Sequence, residues 1–261
     1  RYIYANKYWR LFSLLPNFLR SKFISTLKFY PSRALLYYFY KFFYKQKNIN
    51  YEYQIEKIIS KLLNITDENS YYRSLTQEWT EGTKIINFNN TNNQYENFFN
   101  NNNNNLKFEE KMMFLDFHTY LTDDILCKLD RSSMYSSLET RVPFLDKEVI
   151  ESAFNLPLQE KINQGKSKVI LKKILSKYLP KELINREKRG FALPIANWMR
   201  SDLKDWVHDI LSKDICYKHN FFNHNIIEKT LNEHCNLNIN HEHKLWSLVQ
   251  FNNWYVNFHL K

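Results

Sequence analysis

The chain has 261 residues, which is enough for one large domain or two small ones with a sizeable buried core. Its hydrophobic content of 44% and aromatic content of 17% exclude a disordered chain, and three glycines with six prolines argue against a turn-rich all-β fold. The net charge of +10 accompanies a bias towards Lys, Asn, Ile, Tyr and Phe, so we expect neither nucleic acid nor a membrane as partner.

Three cysteines, Cys127, Cys216 and Cys235, are too few and too widely spaced for a disulfide framework or a metal site, and they indicate a reducing, cytoplasmic compartment. No apolar run reaches the roughly 18 residues that span a bilayer. The sequence begins with Arg1 rather than Met and carries no leader, so we expect a piece of a longer protein.

In the first half of the chain, apolar residues recur at helical spacing around Trp9, and Pro16 should interrupt that helix. Residues 52–64 predict an amphipathic helix. The asparagine-rich stretch at about 87–105 predicts a solvated loop.

The second half predicts more helices and no strand. Residues 106–120 should turn Phe108, Met112 and Leu115 inward, and Thr122 should cap a helix at 123–136. Further helices are predicted at 146–154 (capped by Asp146), 167–178, 194–212, 225–235 and 243–259. The fold class is therefore mainly α, a bundle of about nine helices.

Two patterns of charge lie close together in the middle of the chain. On the helix at 123–136, the spacing places Asp124, Lys128 and Arg131 on one face, which is a candidate site or an ordinary solvated face. In SLETRVPFLD, Glu139 and Arg141 stand among apolar residues on a segment that proline keeps extended. Because buried charges are costly unless paired or used, we expect either a structural ion pair or part of a site.

Two further clusters contain side chains that could bind a ligand. Arg186, Lys188 and Arg189 precede Gly190, a pattern typical of a phosphate-binding loop and also of a solvated basic loop. The histidines near Cys235 match no usual zinc spacing, so no metal site is predicted.

Read in order, KLDRSSM, SLETRVPFLD, KRGFALP and the flanking residues over 106–258 resemble the C-terminal part of glutamine-hydrolysing asparagine synthetase. The resemblance implies that residues 1–261 form the helical C-terminal half of an α/β adenine-nucleotide hydrolase-like (PP-loop) synthetase domain. In such a ligase, aspartate attacks Mg·ATP to give β-aspartyl-AMP, and ammonia released from glutamine then converts it to asparagine.

The resemblance also implies roles for individual residues. Lys188 matches the lysine that contacts the phosphates, with Gly190 beside it, and Glu139 matches a carboxylate of the catalytic dyad of related β-lactam synthetases. The remaining matches are implied substrate-binding positions: Asp124, Lys128, Asp130, Arg131 and Arg141. ATP and Mg²⁺ are the implied cofactors.

The sequence departs from the family pattern in several places. It contains no SGGxDS loop, no GEG-type segment and no N-terminal nucleophilic cysteine, and Thr122 stands where the family usually has proline. We therefore expect the chain to be inactive alone and to need the missing synthetase half and the glutaminase domain as partners. The resemblance also allows a homodimer.

Two other interpretations stay open. The same kind of domain amidates other carboxylates, such as polysaccharide uronic acids. In a different class, a basic, aromatic, helical protein could bind nucleic acid or a membrane surface, which would show as strongly salt-dependent binding.

Overall fold

A computed structural model describes residues 2–26, 59, 62, 64–79, 82–88, 106–185, 193–236 and 239–259. These residues are mostly helical, as the low glycine and proline content predicts. None of the helices among them is both long enough and apolar enough to cross a bilayer. The chain divides into two compact units, and each is assembled from two separate pieces of sequence.

The described residues form fifteen α-helices, more than the nine or so predicted, mainly because five short helices were not predicted, at 68–76, 82–85, 158–161, 181–184 and 213–219. In chain order these are α1 (Tyr2–Ser13), α2 (Asn17–Thr26), α3 (Glu68–Thr76), α4 (Gly82–Ile85), α5 (Phe108–His118), α6 (Cys127–Met134), α7 (Lys147–Asn155), α8 (Leu158–Lys161), α9 (Val169–Leu175), α10 (Lys181–Ile184), α11 (Ile195–Arg200), α12 (Lys204–Ile210), α13 (Lys213–His219), α14 (His224–Asn236) and α15 (Glu242–His259).

The first unit comprises Arg1–Leu14 and Gln94–Gly190. Its small core lies where α1 packs on α5, with the ring centroids of Trp9 and Phe108 6.0 Å apart. Met112 and Leu115 of α5 are buried there as predicted. The predicted interruption at Pro16 is also confirmed, since α1 ends at Ser13 and α2 begins at Asn17.

A short hairpin in the first unit was not predicted. Strand β1 (Ile162–Asn163) pairs antiparallel with β2 (Lys166–Ser167). The connecting Gln164 and Gly165 both have positive φ, 47° and 75°, as a tight two-residue turn requires. The expectation of no strand is therefore wrong, and the helix predicted at 167–178 is shortened to α9 because the hairpin occupies its first residue.

Helix α7 begins as predicted. The Asp146 side chain accepts a hydrogen bond from the backbone N–H of Glu148 at 3.0 Å, which satisfies a donor that the helix itself cannot pair. The prediction for 146–154 is confirmed to within a residue at each end.

Helix α6 ends in a left-handed residue that is not glycine. Ser137 has φ 57°, and the backbone N–H of Leu138 returns to the carbonyl of Ser133 at 3.0 Å. This is a Schellman-type ending, in which glycine is favoured because it has no Cβ to crowd the backbone.

We expect Ser137→Gly to raise the free energy of unfolding by about 0.5 to 1 kcal/mol, after the greater entropy of glycine in the unfolded chain is subtracted. Urea titration followed by circular dichroism measures the change. Ser136→Gly is the matched control, because Ser136 has no positive φ and should lose stability instead. Equal stabilities of the two variants would contradict the prediction.

The second unit comprises Leu15–Asn93 and Phe191–Lys261 and holds the larger core. Helices α11, α12, α13 and α14 pack around α15 or against one another. Their buried apolar side chains form one cluster with α4: Ile85, Met199, Val207, Ile210, Leu211, Cys216, Ile227, Leu231, Leu245, Leu248 and Val249.

Two predicted helices in this unit match closely, and one is split. Residues 225–235 and 243–259 correspond to α14 and α15. Residues 194–212 form two helices, because the backbone N–H of Leu203 bonds to the carbonyl of Trp198 at 2.8 Å and closes α11.

Two predictions fall mainly outside the described residues. Of the helix predicted at 52–64, only residues 59, 62 and 64 are described, and Ile59 is buried. Of the asparagine-rich loop at about 87–105, only residues 87 and 88 are described.

Candidate active site

The candidate site begins in a widened helical turn. Residues Leu121–Leu126 form a π-helix between α5 and α6. Thr122 lies inside it, where its hydroxyl donates to the backbone carbonyls of His118 or Thr119, both at 3.1 Å. The prediction that Thr122 caps a helix is therefore wrong, because the helix continues through it. π-Turns are rare and occur frequently at functional sites.

Across the junction with α6, Asp124 and Lys128 form an ion pair. Lys128 Nζ lies 3.6 Å from Asp124 Oδ1, in the i, i+4 arrangement that the sequence predicts, and both side chains are more than half exposed. Asp130 and Arg131 are also exposed, and in the described part of the chain no ion pair of theirs is found. The structure thus brings together two of these four predicted site residues.

Glu139 and Arg141 pair with each other. Arg141 Nη2 lies 2.8 Å from Glu139 Oε1, and the side chains are 83% and 70% exposed for Arg141 and Glu139 respectively. The ion pair that was one of the two alternatives is present, but the interpretation as a buried structural pair is wrong for this chain. An ion pair so exposed contributes little to folding, since water screens it and two long side chains must be ordered.

Large apolar side chains surround this pair and are exposed as well. The most exposed are Tyr135, Leu138 and Phe144, at 94%, 62% and 65%. The apolar character of SLETRVPFLD is therefore not explained by burial among the described residues. Exposed apolar patches of this kind mark surfaces that another segment or protein covers.

The predicted phosphate-binding loop lies outside the described residues. This applies to both Lys188 and Gly190, and to the neighbouring Arg186 and Arg189. Their roles stay predictions.

The histidines of the second unit have a structural role that the sequence did not indicate. His234 is fully buried, and its Nδ1 accepts the backbone N–H of His241 at 3.1 Å, while Nε2 lies 3.3 Å from the carbonyl of Ala196. Burial, reinforced by the nearby Arg200 guanidinium, lowers the pKa of His234 to about 4. Within the described ranges, no three His, Cys, Asp or Glu side chains are placed to hold a metal ion.

Residues 4–256 match the family model described as asparagine synthase. The chain belongs to the asparagine synthase family. Among relatives, it is 30% identical over 203 residues to asparagine synthetase (glutamine-hydrolysing) 1 of Bacillus subtilis, an alignment covering 77% of this chain and 28% of that protein. It is 31% identical over 100 residues to asparagine synthetase (glutamine-hydrolysing) 1 of Saccharomyces cerevisiae, covering 34% and 18%.

A second Bacillus subtilis protein, asparagine synthetase (glutamine-hydrolysing) 3, is 27% identical over 125 residues, covering 48% of this chain and 20% of that protein. This member of the asparagine synthase family therefore spans less than a third of the length of these curated relatives. No solved structure matches the chain. Membership of the family confirms the resemblance of the motifs.

Proposed function

We propose that this chain is the helical C-terminal portion, over residues 1–261, of the PP-loop synthetase domain of an asparagine synthetase. In the cytoplasm it takes part in the ATP-dependent conversion of aspartate to asparagine. The family match over residues 4–256 and the glutamine-hydrolysing synthetases among its relatives support this proposal. The three cysteines are free thiols, in agreement with a reducing compartment.

The observation that carries the proposal is the surface around Glu139 and Arg141. There, the exposed Glu139–Arg141 pair is flanked by strongly exposed apolar side chains such as Tyr135 and Phe144, and a π-helix with a second ion pair lies at the other end of α6. The surface of a complete enzyme rarely exposes so much apolar area. The wall of an active site does so when the segment that normally covers it is absent. We propose that the phosphate-binding half of the synthetase domain is that segment.

The proposed reaction has two steps. A carboxylate oxygen of the aspartate side chain attacks the α-phosphorus of ATP, so a C–O–P bond forms and pyrophosphate leaves. Ammonia then attacks the activated carbonyl carbon, AMP leaves with the bonding electrons, and a proton from the nitrogen is lost to give the amide. Ammonia comes from glutamine in a glutaminase domain outside this chain.

The chain's own residues have distinct proposed roles in this scheme. Lys188, with Gly190 beside it, neutralises charge that develops on the phosphates. Glu139 orients the reacting groups and accepts a proton from the attacking nitrogen in this proposal. The polar residues of the π-helix and of α6 bind the aspartate substrate: Asp124, Lys128, Asp130 and Arg131.

Magnesium beside ATP is usually held by one or two carboxylates together with the substrate phosphates, and the SGGxDS loop that binds those phosphates in the family is not in this sequence. We therefore assign the Mg²⁺ that accompanies ATP to the phosphate loop outside this chain. No proposed role of the residues above depends on direct contact with that ion.

Exchange of labelled pyrophosphate into ATP tests the proposal. We expect no aspartate-dependent exchange with residues 1–261 alone, and exchange with the complete gene product when aspartate is present. Glucuronate in place of aspartate is the control for the acceptor and should not support exchange. Aspartate-dependent exchange by the isolated chain would refute the proposal that part of the active site lies outside this chain. Exchange with glucuronate but not with aspartate would refute aspartate as the substrate.

A further inference from the structure

The segment that carries Glu139 and Arg141 is held at both ends. Before it, the N–H of Leu138 bonds to the carbonyl of Ser133 and closes α6. After it, Pro143 begins a 3₁₀ turn in which the N–H of Leu145 bonds to the carbonyl of Val142 at 2.9 Å. The two ends of the intervening segment are therefore anchored by hydrogen bonds, and proline restricts the backbone of Val142.

The two charges meet across one intervening residue. Glu139 and Arg141 lie on the irregular segment between α6 and the 3₁₀ turn, and their side chains project together. Their 2.8 Å contact joins two flexible side chains that are otherwise free to adopt many rotamers in water. At this exposure water screens the pair, and it adds little to stability. Once the missing half covers this surface, as proposed above, the weaker screening lets the contact orient the two side chains.

We infer that Arg141 is a positioning residue that holds the Glu139 carboxylate in one orientation, rather than a residue that binds substrate. This inference rests on the proposed function, in which Glu139 acts at the reacting groups. A carboxylate that its partner already holds in one orientation meets the reaction geometry without first losing side-chain entropy. Without the pair, the side chain of a solvated glutamate would have to be ordered again in every turnover, which costs conformational entropy.

The two roles for Arg141 give different kinetics. A residue that binds substrate equally in the ground and transition states changes KM when it is removed, whereas a residue needed only for the chemical step changes kcat. In the complete enzyme, Arg141→Ala is expected to lower kcat about tenfold with KM for aspartate little changed, and Arg141→Lys is expected to recover part of the loss.

A double-mutant cycle with Glu139→Gln makes the test specific. If Arg141 acts only through Glu139, then Arg141→Ala has little further effect once Glu139 is glutamine. Lys147→Ala is the matched control, because Lys147 forms another exposed ion pair, with Glu151 at 3.9 Å, on the neighbouring helix α7. Its kinetics and the thermal unfolding midpoint of every variant should match the wild type.

Each result decides a different point. A raised KM with unchanged kcat in Arg141→Ala, or full additivity with Glu139→Gln, would overturn the positioning role while leaving the proposed function intact. Full activity of Glu139→Gln would instead remove Glu139 from the reaction, and the proposed assignment of this site with it.

Discussion

Replacing Asn252 by aspartate is expected to lower the free energy of unfolding of the second unit by about 3 to 5 kcal/mol. Asn252 is fully buried on α15, and its Nδ2 donates to the carbonyl of Ile210 at 2.9 Å. Its Oδ1 accepts from His219 Nε2 at 3.1 Å. His219 Nδ1 accepts the N–H of Phe221, so the proton of the neutral ring lies on Nε2.

Aspartate keeps the shape of asparagine but removes the donor. The carbonyl of Ile210 would lose its partner, and a carboxylate would have to be buried or protonated, both of which are costly. Substitution by leucine would leave both Ile210 and His219 unsatisfied, so it is expected to destabilise the unit as well.

Urea titration followed by tryptophan fluorescence suits this measurement, because every tryptophan except Trp9 lies in the second unit. Asn257→Asp is the matched control, since Asn257 is exposed on the same helix and its amide bonds only to Asn253. A loss in Asn252→Asp no larger than in the control would show that the buried network does not stabilise this unit.

Acid is expected to destabilise the second unit through His234. Its pKa of about 4 in the folded chain lies below the ordinary value of 6.5, so the unfolded chain binds the proton first as pH falls. The stabilisation is complete above pH 6.5, is lost between pH 6.5 and about 4, and amounts to about 3 kcal/mol over that range.

His234→Asn tests this origin of the pH dependence. The asparagine Oδ1 can replace Nδ1 as acceptor for the N–H of His241 but cannot take up a proton in this range. The variant should be less stable than the wild type at pH 8. Between pH 7 and pH 4, its free energy of unfolding should fall by about 3 kcal/mol less than that of the wild type. An unchanged slope of stability against pH would assign the acid sensitivity to other groups.

Local signals in the sequence predicted much of the helical structure. Asp146 before α7 and Pro16 after α1 each act through backbone chemistry that one residue determines, so their effects were predictable. The inward face of α5 followed from the spacing of its apolar residues.

Features that depend on distant contacts were not predictable. The π-helix at Leu121–Leu126 carries no residue signature, and its Thr122 resembled a helix cap in sequence. His234 and His241 suggested at most a weak metal site, whereas their hydrogen bonds are to backbone or to Glu233 and depend on how α14 meets the segment after it. Of the candidate site, a solvated face with an i, i+4 pair was one of the alternatives for Asp124 and Lys128, whereas the exposure of the Glu139–Arg141 pair was not predicted.

Each of the two units combines two separate stretches of sequence, and this affects both the synthesis and the proteolysis of the protein. Because the first unit needs α1 and α5, and the second needs α4 and α15, neither can be produced as one continuous fragment. During synthesis the first unit acquires all its helices when α10 emerges, while the second must wait for the last turns of the chain. A single proteolytic cut between α4 and α5 would leave two pieces that stay joined by the packing of α1 on α5 and of α4 on α14.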